Sequence, residues 1–500
     1  MAKPLILAID QGTSSTKCLL VDEKGAIVAS GSAPLGESHP KPGWVEQDAN
    51  EIWSSVRKAV AACLEGKAAS EVVAVGFSTQ RESAVAWDRR SGEPLSPVLS
   101  WQDQRTAAIC DALRAAGAGP MVRERCGLPI DPMFSAAKAK WLLDQLDPER
   151  VRARSGSIVI GTVDAFLLSR FSDEPMIEAG NASRTQLMET RKAAWDQDLL
   201  DLFGVPTQAL PRVVSSIGPF PKIRDLAPLP DGVPVCAVMG DSHAALFAHG
   251  AFTPGAVKAT FGTGSSVMGL LDKPDALDPG LCLTIAWALD TPAFAAEGNI
   301  RAAGSTLRWV AEILNVSVDE LARLAASASS DGIMLVPAFN GLGAPWWDDS
   351  AVGLLIGLKL DSSRAAIARA AFESIPHQVA DVVDAVDRSV GKVRELHADG
   401  GSTRNDSLMQ MATDLTGRPI KRSHAAELSA LGAAHLAGHA AGIWSLQDLT
   451  VLPRRHDRFV PAMPPSQRET ERALWARAIS RSRGGGNGAP TVTNFRRRAG

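Results

Sequence analysis

LILAIDQGTSSTKCLLVDEKGAIVA, residues 5–29, decides the reading of the fold. Leu5–Ile9 is apolar and reads as a strand. Asp10 closes it, and the small residues Gly12-Thr13-Ser14-Ser15 form a turn. Lys17–Val21 resumes as a second strand. Asp22–Gly25 turns again, with glycine where a positive φ is needed, and Ala26–Ala29 makes a third strand. Three short consecutive strands joined by tight turns form an antiparallel meander rather than a strand–helix–strand unit. A helix is expected over Ala49–Leu64, where Ile52, Val56, Val60 and Cys63 repeat at helical spacing. Val72–Phe77 then reads as a buried strand.

The same design recurs later in the chain. Ala256–Phe261 is an apolar strand, Gly262-Thr263-Gly264-Ser265-Ser266 is a turn, and Val267–Leu271 resumes as a strand. The echo predicts two similar α/β domains facing each other across a cleft, with the boundary near Gly250–Gly255. We therefore expect a first domain over residues 1–250 and a second over 251–465. The tail Arg481–Gly500 is rich in glycine and then basic, and is expected to be flexible. Five hundred residues suit two to four domains at about 150 residues each. Hydrophobic residues at 45% and charged residues at 21% exclude a disordered or fibrous chain. The net charge of -3 gives no general attraction to nucleic acid or anionic lipid. No apolar run approaches the ~20 residues of a membrane span, and the apolar core of the N-terminus is too short for a signal segment. The six cysteines lack paired spacing, which suits reduced thiols in a cytoplasmic chain.

Several segments could carry chemistry. In Asp10–Lys17, glycine and a run of hydroxyls suit phosphate oxygens, and Asp10 could hold Mg²⁺. The same residues also read as a hydrophilic hairpin turn. No G-x-x-x-x-G-K-[ST] occurs. Phe261–Ser266 is a second phosphate turn or a second plain hairpin. Val267 stands where a dinucleotide fingerprint would need glycine. Asp399-Gly400-Gly401 links a strand over Val393–His397 to a helix over Ser407–Leu415, so a ligand could approach its backbone. Asp241 follows the strand Val233–Met239, at a position where open α/β sheets place reactive groups. It reads as a proton acceptor or as a helix cap. His243 beside it reads as helix packing. Arg81 and Glu82 suit a vicinal diol or a surface ion pair. Trp101 could cover the C–H side of a polyol or belong to the core.

The order of these segments carries more than any one of them. AIDQGTSSTK (8–17), STQRESAVAWD (78–88), WQDQRT (101–106), DPMFSAAKAKWLLDQ (131–145), GDSHAALF (240–247), FGTGSS (261–266), AEGNIRAAGSTLRW (296–309), VPAFNGLGAPWWD (336–348), ADGGSTRNDSLMQ (398–410) and ALGAAHLAG (430–438) are collinear. With them the chain, from Leu5 to about Trp444, resembles the FGGY carbohydrate kinases, and among these the glycerol kinases.

The resemblance implies two ribonuclease H-like domains of the actin/hexokinase/Hsp70 type, with ATP, Mg²⁺ and a polyol meeting between them. It implies phosphorylation of a primary hydroxyl, glycerol to glycerol 3-phosphate in the first reading. A different small polyol or ketose is the alternative, and a nucleotide-binding sensor without turnover is the alternative of another class. Asp241 is then the catalytic base and, with Asp10, a metal-linked carboxylate. Arg81, Glu82 and Trp101 grip the substrate. Thr13, Ser14, Ser15, Lys17 and Thr263 meet the triphosphate, and Gly304, Arg308, Gly401 and Asn405 lie around the nucleotide. A homo-oligomer, dimer or tetramer, is implied as well, and no nucleic-acid or membrane partner.

Five positions depart from the glycerol kinase pattern. Lys17 replaces Arg and Arg308 replaces Gln. Met133 stands for Tyr, Ser242 for Gln and Ser266 for Phe, all three in the pocket wall. The expected effect is a roomier pocket of changed polarity. A lost ligand hydrogen bond costs ~0.5–1.5 kcal/mol, up to about tenfold in affinity.

Overall fold

The computed structural model describes residues 4–484. Its first sheet contains β1 (Leu5–Gln11), β2 (Ser15–Val21), β3 (Ile27–Pro34), β4 (Val72–Thr79) and β5 (Val235–Gly240). They lie in the order β3-β2-β1-β4-β5. The meander pairs antiparallel, whereas β4 and β5 run parallel to β1. Every residue of β1 is buried, as a strand covered on both faces requires.

The second sheet contains β6 (Val257–Phe261), β7 (Ser265–Leu270), β8 (Cys282–Ala288), β9 (Pro292–Ile300), β10 (Leu396–Asp399), β11 (Ile420–Ser423) and β12 (His456–Phe459). Its order is β8-β9-β7-β6-β10-β11-β12. Without the edge strands β8 and β12, the order β9-β7-β6-β10-β11 repeats the first sheet in sequence and in pairing sense. The duplication expected from two similar turns is therefore a duplication of whole sheets.

Seven helices bear on the site: α1 (Ala49–Leu64), α2 (Asp241–Ala248), α3 (Gly304–Ile313), α4 (Arg364–Val390), α5 (Asp406–Thr416), α6 (Leu428–Ala440) and α7 (Pro465–Gly484). α1 occupies the span predicted for it. Asp48 starts it by accepting from the N–H groups of Asn50 and Glu51. α4 packs beneath the second sheet.

Two placements add to the sequence reading. α6 falls inside the segment assigned to the second domain, yet it lies on β1, β4 and β5 of the first sheet and against α2. Glycine makes the approach possible. A Cβ at Gly76 would strike the Ala433 carbonyl, and one at Gly432 would strike the Ala244 carbonyl. The end of the chain also differs. Residues 481–484 are the last turn of α7, not the start of a flexible tail. α7 extends the second domain past 465 by burying Trp475, which stacks on His377 and donates to Asp381 Oδ2 at 2.7 Å. The rest of the expected tail, with Arg496–Arg498, lies outside the described residues.

Residues between β4 and β5 build a further apolar core around Phe134, Leu142 and Phe203. All six cysteines are free. Among the described residues no helix is long and apolar enough to cross a membrane. Replacing Gly432 with Ala forces α6 away from α2 and should cost about 1–3 kcal/mol. Urea unfolding measures it, and unchanged stability would contradict the close packing of α6.

Candidate active site

The parallel strands of both sheets end at one cleft. β1 delivers Asp10, β4 leads into Arg81 and Glu82, and β5 delivers Asp241 on the first turn of α2. From the other side, β6 ends in the turn at Gly262–Gly264 and β10 ends in Asp399. The cavity between them has a volume of about 570 Å³. The first domain lines it with Thr13, Ser14, Arg81, Glu82, Trp101, Met133, Asp241 and Ser242. The second contributes Thr263, Ser266 and Arg308. Eleven of the seventeen candidate residues thus share one cavity.

An ion network organises its floor. Arg81 donates from Nη1 and Nη2 to the two carboxylate oxygens of Glu297, each at 2.8 Å. Arg184 stands 3.1 Å from the same carboxylate through Nη1 and donates from Nε to Glu82 Oε1 at 2.6 Å. Glu297 belongs to β9, so its bonds to Arg81 and Arg184 join the two domains. Burial alone would raise the Glu297 carboxyl, but Arg184 and Arg81 outweigh it and hold it well below the usual range. Arg81 Nε lies 3.2 Å from Asp241 Oδ1, which also accepts from the Ser242 N–H at 2.6 Å. His243 Nε2 contacts Arg81 at 3.3 Å and Thr284 Oγ1 at 3.0 Å, a buried support for Arg81 rather than simple helix packing. Glu82 has φ 61°, in the left-handed region. That conformation costs about 1–2 kcal/mol and is held by Arg184 and by Ser135, which donates to the Glu82 carbonyl at 3.0 Å.

The phosphate turn is tied to the substrate wall. Trp101 Nε1 donates to Thr13 Oγ1 at 3.1 Å. Beneath them Gln80 donates to both Gln11 and Gln47 at 3.0 Å, and Gln47 donates to the Thr13 carbonyl. In the opposite turn Gly304 must be glycine, because a Cβ there would meet the Gly262 carbonyl. Arg308 Nη2 reaches Thr263 Oγ1 at 3.5 Å.

Six candidates stand outside the cavity lining. Asp10 is buried below it, and the Ser15 carbonyl closes the turn by accepting from the Gly12 N–H. Lys17, expected at the triphosphate, is paired with Glu427 at 2.7 Å. Gly304 starts α3. Gly401 follows Gly400, whose φ of 96° fits it against Phe261. Asn405 uses its side chain to cap α5.

The residues absent from the sequence reading are Glu297, Arg184 and Lys258, while Asp399 entered it only as part of a glycine-rich link. Lys258 and Asp399 line the cavity, and Glu297 and Arg184 are fully buried beneath it. Their signal was present. A lone charge in an apolar strand, Glu297 in AAEGNI or Lys258 in VKATF, needs a buried partner.

Burial, with the charge of Asp241 adding to it, pushes the Asp10 carboxyl up to about 7, and Oδ1 has no hydrogen-bond partner. An orphaned buried carboxylate oxygen near a second carboxylate fits a cation. Among the described residues no group of three acidic, His or Cys side chains forms a complete metal cage. Mg²⁺ does not require one, since it is typically held by one or two carboxylates, phosphates and water.

Residues 5–248 match the model of the N-terminal domain of the FGGY family of carbohydrate kinases, and residues 257–441 match that of its C-terminal domain. The chain is 42% identical over 491 residues to an apulose kinase of Pectobacterium atrosepticum, covering 97% of this chain and 99% of the relative. It is also 42% identical over 490 residues to a glycerol kinase of Dechloromonas aromatica, covering 95% and 97%. The crystal structure of Plasmodium falciparum glycerol kinase with ADP superposes with a TM-score of 0.89 at 30% identity, over 96% of this chain and 98% of the other.

Replacing Glu297 with Gln leaves two buried guanidinium groups undercompensated and should cost about 3–5 kcal/mol, read by urea unfolding. In the parent, the depressed Glu297 carboxyl contributes stability that is present above its unfolded-state value of about 4.3 and lost as pH falls below it. A parent whose stability does not fall across that acidic range would contradict the network.

Proposed function

The chain belongs to the FGGY family of carbohydrate kinases, and we propose that it transfers the γ-phosphoryl group of ATP to a primary hydroxyl of a small polyol or ketose with a glycerol-like end. The observation that carries this reading is the position of Asp241. Its side chain keeps 40% of its surface open to the cleft, while Arg81 and the Ser242 N–H fix one carboxylate oxygen. A hydroxyl set against the carboxylate loses its proton to it as the phosphoryl group transfers in line.

The remaining residues position and neutralise. Thr13–Ser15 and Gly262–Gly264 offer N–H and O–H donors to phosphates from opposite walls. Arg81 and Glu82, braced by Glu297 and Arg184, hold the neighbouring hydroxyls, and Trp101 covers the carbon skeleton. This fixed geometry replaces a bimolecular encounter, and closure of the two domains excludes water as a competing acceptor. Asp10 and Asp241 are the residues that would hold Mg²⁺, which when bound neutralises phosphate charge.

Glycerol is the simplest acceptor that matches Arg81, Glu82 and Asp241. A larger acceptor is the second reading. It is supported by Met133, Ser242 and Ser266 in the wall, of which the two serines are small and present hydroxyls, and by the apulose kinase among the relatives.

The Asp241→Asn variant should lose roughly 10²–10⁴ in kcat in a coupled ADP assay, and activity near the parent's would refute the base assignment. Enclosure by protein pushes the Asp241 carboxyl above the usual range, against the pull of Arg81. The acid must be ionised to accept a proton, so the acidic limb of kcat/KM should lie above the ordinary Asp value of about 3.9. Met133→Tyr should raise kcat/KM for glycerol if the wall reading is right, and a loss for glycerol would favour the larger acceptor.

A further inference from the structure

The direction of each hydrogen bond around Lys258 follows from what its groups can do. Lys258 is buried on β6, and its ammonium donates only. Nζ lies 2.8 Å from Ser242 Oγ and 2.7 Å from Thr260 Oγ1. Both hydroxyl oxygens accept from it, so each hydroxyl hydrogen must go elsewhere. Thr260 is the register partner of Asp399 on the neighbouring strand. His249 Nε2 approaches the Asp399 carboxylate at 3.4 Å. Ser242 lies at the cavity wall. The one side-chain acceptor recorded near its hydroxyl among the described residues is Ser266 Oγ, at a long 3.3 Å. Both serines line the cavity beside Asp241. Ser242 is thus a donor held in reserve at the wall, with its direction set from behind by a cation of the other domain.

Glycerol offers three oxygens, and three groups on the floor match them: Asp241, Arg81 and Glu82. Ser242 has nothing left to bind. We propose that Ser242 and Lys258 are specificity-determining residues that select an acceptor of four or more carbons, whose additional oxygen takes the Ser242 hydrogen bond that glycerol leaves unmade. The proposal rests on the phosphotransfer reading above and narrows its substrate class. Ser242 touches the acceptor, and Lys258 acts through it as a positioning residue. A carbonyl or a hydroxyl serves equally as the additional oxygen, since each accepts a hydrogen bond.

The test is a panel of glycerol, erythritol, both threitols, and the D and L forms of ribulose and xylulose, with coupled ADP detection. At least one longer acceptor should exceed glycerol in kcat/KM by about tenfold, the worth of one well-made hydrogen bond. The Ser242→Ala variant should reduce the ratio of longer acceptor to glycerol by about the same factor, chiefly through KM, and Ser242→Thr should restore it. Removing a buried ammonium threatens folding, so Lys258→Met is judged by the same ratio in the fraction that retains the parent's thermal melt. The Ser242 pair decides on its own. A ketopentose in the lead identifies the oxygen as a carbonyl, and a tetritol identifies it as a hydroxyl. Glycerol in the lead, or a Ser242→Ala variant that lowers all acceptors in proportion, overturns the proposal and leaves the kinase reading intact. No turnover with any acceptor overturns the kinase reading, and this inference with it.

Discussion

The Glu297 carboxylate, shared between the guanidinium groups of Arg81 and Arg184, is the constraint on which the rest of the site depends. It comes from the second domain, and both arginines come from the first. Two buried cations and one anion would be costly without Glu82, whose carboxylate accepts from Arg184 at the far side. The four charges therefore form one unit that exists only when the domains are assembled. That unit sets the direction of Arg81 Nε, and through it the carboxylate of Asp241. It also holds Glu82 in a backbone conformation that no local preference would choose.

Around this unit the duplicated sheets give the site its shape. Each contributes parallel strands whose ends open on the same cleft, so two turns rich in Gly, Thr and Ser face each other without any insertion to carry them. α6 keeps this arrangement in register. It lies on the first sheet through the glycine contacts at 76 and 432, and Ser429 donates to the Asp241 carbonyl at 3.0 Å. Lys258 repeats the theme from the second sheet by bonding Ser242 across the cleft. The helix that carries Asp241 is therefore fixed by contacts from both sides, as preorganised electrostatic catalysis requires.

What the sequence made legible was local. The meander, α1, the two turns and the Asp241 position each carry their signal within some fifteen residues, in apolar runs, helical spacing or glycine placement. The ion network was illegible because Arg81 and Glu297 are 216 positions apart, and nothing near either residue names its partner. The packing of α6 on the first sheet was illegible for the same reason: chain order places it with the second half, as the C-terminal family model does, while small residues let it lie on the first sheet. The resemblance places Lys17 at the triphosphate, and nothing near it in sequence announces Glu427, far along the chain, which pairs with its ammonium. The boundary at 481 was set by glycine content, although Trp475 buries the helix that runs through it.

The most direct measurement of the central claim is a crystal structure of the complex with a non-hydrolysable ATP analogue, Mg²⁺ and an acceptor. The account predicts the acceptor's primary hydroxyl within about 2.6–3.2 Å of the Asp241 carboxylate, in line with the terminal phosphate, and Glu297 still bonded to Arg81. An acceptor bound away from Asp241, or a closed complex in which Glu297 has left Arg81, would contradict it.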